Sequence, residues 1–188
     1  MKQIRFIEDD HTYWDGDRRI HSVTEIMQAG GIIDTAWYTE EARQRGTQVH
    51  KAIHLLTEND LDHSILDPEL MPFVEAFNDF QLATGFQKLL SEQTVYSESQ
   101  DYAGRFDLYG SLNGWKVLID IKTEHAPPWI GIQIASYAQA MKEMGFRVDK
   151  TFGLELKKNG RFRLWQHNDP VSLGKFLTAL EGLRNGIG

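Results

Sequence analysis

The chain has 188 residues and a formal net charge of −7, from 27 acidic and 20 basic side chains. Its length suits a single domain, and 41% apolar with 25% charged residues exclude disordered and collagen-like classes. Cysteine is absent, which excludes disulfides, thiolate zinc sites, cysteine nucleophiles and thiolate-bound iron–sulfur clusters.

The N-terminal segment, residues 1–35, is predicted to form a β-hairpin followed by a short helix. Short alternating stretches indicate strands at Ile4–Ile7 and Thr12–Trp14. Ser22 and Glu25 have the spacing of a capping box, in which each side chain accepts a hydrogen bond from the other residue's backbone. We therefore expect a helix to begin directly after Ser22.

Two amphipathic helices are predicted next. Apolar residues at helical spacing indicate a long helix from about Ala36 to Thr57. A second helix is expected from Pro68 to about Thr84, with Asp67 as its N-cap and Gly85 as its end. The core face predicted for this second helix consists of Leu70, Phe73, Val74, Phe77 and Phe80.

The middle of the chain changes from a period near 3.6 to a period of 2, which predicts strands. Three are expected, at Glu92–Glu98, Tyr102–Tyr109 and Trp115–Lys122. The later predicted elements are a helix from Trp129 to Met144, strands at Thr151–Leu156 and Arg161–Gln166, and a final helix after Pro170. This order predicts an α+β (mixed α/β) fold in which helices cover a small central sheet.

Alternation along the third of these strands places Asp120 and Lys122 on one face of the sheet and Ile121 on the other. Asn113-Gly114, just before this strand, is a strong signal for a two-residue hairpin turn. With that turn, Asp107 lies directly opposite Asp120. A four-residue loop would keep both carboxylates on one face, whereas a three-residue loop would separate them.

The preceding hairpin extends this row of acids. With Ser99-Gln100 as a two-residue turn, Glu92 faces Asp107, so three carboxylates align across strands about 4.8 Å apart. Directly opposed like charges destabilise a sheet, so the row indicates a divalent cation, and hard oxygen ligands suit Mg²⁺ or Mn²⁺. The alternative is a set of ordinary surface carboxylates with a salt-bridged lysine.

The long helix contains two unusual residues. Gly46 in mid-helix costs roughly 1 kcal/mol relative to alanine, which the close approach of another backbone or of a phosphate would explain. His50 follows one turn later on the same face and is a candidate metal ligand. The alternatives are a zinc-binding pair with His54, and a helix histidine that simply bonds to a neighbour.

Further polar and aromatic residues are candidates for contacts with substrate. Gln133 and Tyr137 share one face of the predicted Trp129 helix, where they either touch a phosphate or form an ordinary half-buried pair. The cationic candidates for phosphate contacts are Arg43, Arg45 and Lys51 on the long helix, and Lys157, Lys158, Arg161 and Arg163 near the last hairpin turn. The aromatic residues that could stack on unpaired bases, or pack in the core instead, are Trp37, Tyr38 and Trp129.

Five short segments in this order resemble the PD-(D/E)XK nuclease superfamily, in particular its RecB-like exonuclease branch. They are GTQVH (Gly46–His50), Glu92, GRFD (Gly104–Asp107), IDIKT (Ile119–Thr123) and QIASY (Gln133–Tyr137). Their order and spacing are similar to those of phage-encoded members and of the mitochondrial genome maintenance exonuclease. Some members of the branch bind an iron–sulfur cluster through cysteines, and a chain without cysteine resembles the cluster-free kind.

The resemblance implies a restriction-endonuclease-like αβββαβ core with a central mixed sheet. It implies one nuclease domain over residues 1–188, with the catalytic core at 36–157, the N-terminal hairpin and helix at 1–35 and a C-terminal strand and helix at 158–188. It implies one or two Mg²⁺ or Mn²⁺ ions, and the implied ligands are His50, Asp107, Asp120 and the backbone carbonyl of Ile121.

The resemblance also implies roles around the metal. Glu92 becomes a supporting acid beside the catalytic Asp107 and Asp120, and Lys122 orients or deprotonates the attacking water. The residues expected to contact or support DNA are Gln133, Tyr137, Arg43, Arg45, Arg105 and Lys51.

The resulting functional hypothesis is a metal-dependent deoxyribonuclease, with an exonuclease in phage or bacterial recombination, repair or genome processing as its preferred form. An endonuclease of the same superfamily and a non-catalytic DNA-binding or assembly subunit are the alternatives. The expected partners are single- or double-stranded DNA ends, with recombination or replication proteins beyond them. The first residues lack the apolar stretch of a signal peptide, and no run is apolar enough to span a bilayer, so we expect a cytoplasmic location in a bacterial or phage-infected cell without membrane attachment.

Overall fold

The structure, a computed structural model, describes residues 4–33 and 39–186. The strands within these ranges are β1 (Arg5–Ile7), β2 (Thr12–Asp15), β3 (Arg18–Ser22), β4 (Gln87–Ser97), β5 (Tyr102–Leu112), β6 (Trp115–Thr123), β7 (Lys150–Leu156) and β8 (Phe162–His167). The helices are α1 (Val23–Ala29), α2 (Glu40–Thr57), α3 (Met71–Thr84), α4 (Ile130–Glu143) and α5 (Ser172–Arg184). Among the described helices, none combines the length and the apolar character needed to cross a membrane.

The strands form one mixed sheet, which confirms the predicted fold class. The strand order is β1-β2-β3-β5-β6-β7-β8, and β4 pairs with the other edge of β5. The β4–β5, β5–β6 and β7–β8 pairs are antiparallel, whereas β3–β5 and β6–β7 are parallel. The parallel β6–β7 pair needs a crossover connection, which α4 supplies.

Helices cover both faces of this sheet. Alternation along β6 directs Leu118 into an apolar cluster with residues of α1, α4 and α5, and directs Ile119 and Ile121 into a second cluster with α2 and α3. All five predicted core residues of α3 are buried in that second cluster. Ile121 thus lies on the opposite face from Asp120, as the alternation predicts.

The helix ends agree with the sequence prediction in part. The capping box between Ser22 and Glu25 is present at the start of α1. The prediction that Asp67 caps a helix beginning at Pro68 is wrong. The Asp67 carboxylate instead accepts a hydrogen bond from the backbone of Glu69 in a turn, and α3 begins one turn later with Leu70 as its N-cap.

The other ends of these helices show how local geometry sets their length. Gly85 adopts the left-handed conformation at the end of α3, as its position predicts. The Thr39 side chain caps α2, which therefore begins at Glu40. Positions 36–38 of the predicted long helix lie outside the described residues.

The N-terminal segment differs from the predicted hairpin because a third strand follows it. Strand β3 pairs antiparallel with β2 and then runs parallel to β5 through the pairs His21–Tyr102 and Ser22–Ala103. The sequence RRIHS carries no apolar run, so its strand character depends on the partner that it finds. This strand joins the N-terminal segment to the central sheet.

Strand β5 changes its partner along one edge. The edge pairs with β3 at Tyr102 and Ala103, and with β6 from Leu108 to Leu112. Between these two ladders, neither strand pairs with residues 104–107. The sheet is therefore split beside Asp107, at the point where β6 leaves β5 and continues alongside β7 alone.

Candidate metal centre and cleft

A cleft of about 520 Å³ opens at the split in the sheet. Helix α2, the N-terminal strands, the open end of β5–β6 and helix α4 form its walls. The lining residues are Phe6, Glu8, His11, Thr24, Gly46, Thr47, His50, Lys51, His54, Leu55, Glu92, Arg105, Asp107, Asp120, Lys122, Gln133 and Tyr137.

The two aspartates meet because the hairpin has the predicted register. Asn113 and Gly114 both have positive φ, as a two-residue primed turn requires, and pairing continues regularly to Leu108–Ile119. The next step in this register places Asp107 opposite Asp120. In place of a ladder bond, the Asp107 Oδ2 atom accepts a hydrogen bond of 2.5 Å from the Ile121 backbone N–H.

His50 reaches this acidic group from α2. Its Nδ1 atom lies 3.3 Å from Asp107 Oδ1 and 3.5 Å from Glu92 Oε1, and its Nε2 atom lies 3.1 Å from the Ile121 carbonyl oxygen. Burial by itself would lower the pKa of His50, but Asp107 and Glu92 outweigh burial and raise that pKa to about 10. Without a competing cation, the imidazole therefore carries the positive charge that the acids require.

Glu92 joins the site through an unusual backbone conformation. Its neighbours Gln93 and Ser91 pair with Phe106 and Leu108, so Glu92 faces Asp107 as predicted. The four residues 98–101 form the loop, however, instead of the predicted two-residue turn, and this longer loop preserves the register. Glu92 itself has φ +50°, which costs of order 1–3 kcal/mol for a residue with a side chain.

Asp120, which is buried, and Lys122, which is partly exposed, form an ion pair on the face that alternation predicts. The Lys122 Nζ atom lies 2.5 Å from Asp120 Oδ2 and 5.7 Å from the centre of the half-buried Trp129 ring. Only 2% of Asp120 is exposed. Burial raises the pKa of Asp120, an effect that Lys122 opposes and Asp107 reinforces.

Asp107 has the opposite pKa shift, although it is also buried. Burial acts to raise its pKa, but His50, Lys122 and the Ile121 N–H outweigh burial and lower the pKa below its usual value. The pKa values of the two facing carboxylates are thus shifted in opposite directions, which is typical of acids held close together at functional sites.

Helix α4 contributes the polar pair that the i, i+4 spacing predicts. Gln133 Nε2 donates a 3.0 Å hydrogen bond to Tyr137 Oη, and both residues line the cleft. Burial raises the pKa of Tyr137 well above its usual value, so its hydroxyl remains a neutral donor. A side chain at Gly104 would meet the Tyr137 ring at 2.5 Å, which explains the glycine of the GRFD segment.

The donor atoms present here fit a divalent cation. One ligand atom each from His50, Glu92 and Asp107 lies within 4.8 Å of the other two. Asp120 faces Asp107 beside them. Three acids in a partly buried group require compensating charge, and a mixture of carboxylate oxygens with one imidazole suits Mn²⁺ or Mg²⁺, with the imidazole favouring the transition metal.

Some of the remaining predicted contact residues line the cleft and others do not. Lys51 and Arg105 line the cleft, whereas Arg43 forms an ion pair with Glu40 on the surface of α2, and the lining excludes both Arg43 and Arg45. Of the last hairpin's cations, Lys157 lies 3.6 Å from Glu155 and Arg163 stacks over Trp165. Trp37 and Tyr38 lie outside the described residues.

Two interpretations of α2 change with the structure. Within residues 4–33 and 39–186, the nearest atom to a side chain added at Gly46 would be Thr123 Oγ1, at 4.0 Å, and no backbone from outside the helix lies closer. His54 turns toward Ser91, with 2.7 Å between Nδ1 and Oγ, while the described ligand group contains His50 alone of the two histidines. His54 thus contacts Ser91 and lies outside the group of ligand atoms formed by His50, Glu92 and Asp107.

No sequence pattern indicated the four cleft residues contributed by β1, the β1–β2 turn and α1. These are Phe6, Glu8, His11 and Thr24. Phe6 alternates correctly for a strand, but no local pattern shows which distant surface it covers. Their position depends on the pairing of β3 with β5, which is a contact between residues about 80 positions apart.

Comparison with known proteins establishes the fold. Neither a protein-family profile nor a curated protein matches the chain. A provisionally assigned exonuclease from Eubacterium rectale has a similar structure, with 13% identity and a TM-score of 0.51 over 87% of this chain and 74% of that one. An alkaline exonuclease from Laribacter hongkongensis aligns at 10% identity, with a TM-score of 0.43 over 88% and 86% of the two chains. The former likeness shows a shared fold, and the latter is too distant to add to it.

Proposed function

We propose that this chain is a divalent-metal-dependent deoxyribonuclease. One observation carries the proposal: His50, Glu92, Asp107, Asp120 and Lys122 converge in one cleft, at the point where the sheet splits. An ordinary surface cluster of charges would not contain two buried aspartates that face each other. It would also not need a glutamate with a strained backbone or a histidine that reaches in from a separate helix.

In the proposed site, His50, Asp107, Asp120 and the Ile121 carbonyl would hold the cation, with Glu92 as a supporting acid. When bound, a divalent ion would neutralise phosphate charge, activate water and stabilise the leaving oxygen. Ligation by His50 requires its neutral form, so the cation would replace the proton that the carboxylates hold on the imidazole.

The other residues of the cleft supply donors for an anionic substrate. The Lys122 ammonium, held by Asp120 against Trp129, would orient the attacking water and stabilise developing negative charge. The neutral Tyr137 hydroxyl and the Gln133 amide would donate hydrogen bonds to the phosphodiester. The space beside Gly46 would admit the nucleic-acid backbone close to α2.

The finer assignment follows from the resemblance of the ordered motifs. We propose an exonuclease that works from DNA ends in recombination, repair or genome processing of a phage or bacterium, using Mg²⁺ or Mn²⁺ in the cytoplasm. We also propose that residues 1–188 act as one nuclease domain. In support, the α1 residue Ile26, the β5 residue Tyr102 and the α5 residue Phe176 belong to one apolar cluster.

The direct test replaces Lys122 with alanine and measures cleavage of end-labelled linear DNA with Mn²⁺ or Mg²⁺. We expect the rate to fall by about 100-fold or more, because water positioning and charge stabilisation are both lost. The matched control is Lys116→Ala, which removes a lysine on the same face of the sheet at the other end of β6. Equal cleavage by both variants and the wild type would contradict the proposed site.

A covalently closed circular DNA separates the two catalytic forms of the proposal. An exonuclease needs an end, so linear DNA should be degraded while the closed circle stays intact. Cleavage of the circle at a comparable rate would support the endonuclease. Calorimetry can detect Mn²⁺ binding with and without DNA. If the chain binds no Mn²⁺ in either case and cuts neither DNA substrate, the alternative of a non-catalytic DNA-binding or assembly subunit is favoured.

A further inference from the structure

The guanidinium of Arg105 lies between the acidic group and the N-terminal strands. We infer that Arg105 is a positioning residue for Glu92, and that Phe6 of β1 holds Arg105 in place. The inference rests on the proposed function and deepens it, since it makes the N-terminal strands part of the metal site. It also changes the predicted role of Arg105, from a phosphate contact to an internal support.

The first contact of Arg105 is with Glu92. The Arg105 Nε atom lies 2.9 Å from Glu92 Oε2, while the second carboxylate oxygen, Oε1, lies 3.5 Å from His50 Nδ1. The ion pair thus occupies one oxygen and directs the other toward the group of metal ligands. The contact is an ion pair without hydrogen-bond geometry, and because both side chains are partly buried, the attraction between their charges is screened less than at an open surface.

Glu92 needs such an external support because its backbone is strained. Its φ of +50° is uncommon for a residue with a side chain, and such a conformation persists only where surrounding contacts hold it. In a regular strand the backbone conformation would set the direction of the Glu92 side chain, but the backbone at Glu92 is not regular. The Arg105 contact fixes that direction, since only 16% of the Glu92 side chain is exposed.

The second contact of Arg105 is with Phe6. The guanidinium carbon lies 4.9 Å from the centre of the Phe6 ring, and His11 packs edge-on against the same ring at 4.9 Å. With one edge on Glu92 and one face on Phe6, only 24% of the Arg105 side chain is exposed. Protein atoms therefore cover most of the Arg105 side chain, as expected for a residue that supports a neighbouring side chain.

The test compares Arg105→Lys, Arg105→Gln and Glu92→Gln. The binding of Mn²⁺ without DNA is measured by paramagnetic resonance, and DNA binding is measured as a function of salt. If Arg105 positions Glu92, both Arg105 variants should weaken Mn²⁺ binding about tenfold, as is typical when a residue that supports a ligand is removed. Thermal melts establish that each variant is folded.

Lysine makes this comparison sharp. It keeps the positive charge that a phosphate contact needs but cannot reproduce the Nε geometry that supports Glu92. If Arg105→Lys binds Mn²⁺ as well as the wild type while Arg105→Gln weakens DNA binding and lowers its salt dependence, Arg105 contacts phosphate and the inference is overturned.

A double-variant cycle gives an independent readout. In a Glu92→Gln background, Arg105→Gln should cause no further loss of Mn²⁺ affinity, because its effect acts through the Glu92 carboxylate. Fully additive losses would overturn the inference. If the wild-type chain itself binds no Mn²⁺, the proposed function fails, which is distinguishable from a failure confined to Arg105.

The contribution of the N-terminal strands is tested at Phe6. Phe6→Leu should weaken Mn²⁺ binding about threefold, since leucine retains apolar bulk but not the cation–π contact. The matched control is Trp115→Leu, which removes the ring beneath Lys150, a cation–π pair at 4.5 Å far from the cleft. An equal effect of the two substitutions on Mn²⁺ binding would contradict the role assigned to Phe6.

Discussion

The two ends of the β5–β6 hairpin show how one pair of strands serves two purposes. From the turn to Leu108–Ile119 the strands pair regularly, and both of these side chains are almost completely buried in one apolar cluster. Beyond that pair the ladder stops, and Asp107 and Asp120 face each other across the open end. The same register therefore produces core packing at one end and a charged cleft at the other.

The difference between the two ends shows where a sheet can accommodate carboxylates that face each other on neighbouring strands. Within a continuous ladder, like charges directly opposite each other are destabilising. Here the strands part, the freed Ile121 N–H bonds to Asp107, and His50 and Lys122 supply positive charge. The proposed catalytic residues thus lie where regular pairing ends, and the buried apolar pairs lie where pairing continues.

The largest expected effect concerns catalysis at the open end. Asp120→Asn should reduce the kcat/KM for linear DNA by about 1,000-fold, roughly 4 kcal/mol of transition-state stabilisation, because a proposed metal ligand is lost. The unfolding free energy should also fall, by less than the about 3–5 kcal/mol typical of a broken buried ion pair, because relief of repulsion from Asp107 offsets part of the lost Lys122 pair, so rates are measured where the variant is folded.

The control for Asp120 lies beside the paired end. Asp149 accepts a 2.8 Å hydrogen bond from the Lys116 backbone N–H, and Asp149→Asn should leave kcat/KM within about twofold of the wild type. A large loss of activity in Asp149→Asn, or none in Asp120→Asn, would remove the proposed division between the two ends.

At the paired end, Ile119→Ala should lower the unfolding free energy by about 2–5 kcal/mol, because a fully buried side chain leaves a cavity. Activity per folded molecule should stay near the wild-type value at a temperature where the variant is folded. Denaturant unfolding together with rates corrected for the folded fraction checks both parts. A specific loss of catalysis in a stable Ile119→Ala protein would show that the two ends are not separable.

A smaller effect, with opposite signs for stability and function, is expected at Gly46. Alanine has room there and removes the mid-helix glycine penalty, so Gly46→Ala should raise the unfolding free energy by about 0.5–1 kcal/mol. The added methyl group narrows the cleft, so DNA affinity should fall severalfold. The control is Gly174→Ala in α5, which has equal room outside the cleft; a similar loss of DNA affinity in both variants would argue against the proposed path beside Gly46.

The smallest effect concerns Glu143, an acid that serves stability alone. Partial burial acts to raise its pKa, but hydrogen bonds from Ser99, Gln139 and Ser97 outweigh burial and lower that pKa. A lowered folded-state pKa means that the contribution is present above the ordinary value of 4.5 and is lost as the pH falls through the folded-state pKa.

Melting temperatures of the wild type and Glu143→Gln between pH 3 and pH 7 test this sign. The wild type should be the more stable protein near pH 7, and the difference should shrink below about pH 4.5 as Glu143 becomes protonated. A difference that grows on acidification would contradict the assigned pKa direction. Cleavage rates should be equal throughout, because Glu143 lies outside the cleft.

Much of the site geometry could be predicted because it depends on local rules. Asn113-Gly114 tolerates the two positive φ angles that set the hairpin register, and that register aligns Asp107 with Asp120 without help from any distant contact. The period of 3.6 placed Gln133 and Tyr137 together for the same reason. The start of α3 was misplaced, since Asp67 stabilises a turn as readily as a helix.

The amino-acid sequence alone determined that Asp120 and Lys122 lie on one face of the sheet and Ile121 on the other, because successive side chains of a strand point in opposite directions. Only the tertiary structure decided that β3 pairs with β5, that the sheet splits at Asp107, and that Phe6 covers Arg105. These contacts join residues far apart in the chain, so they depend on which sheet edge and which apolar surface are available once the whole chain packs. No local periodicity contains that information.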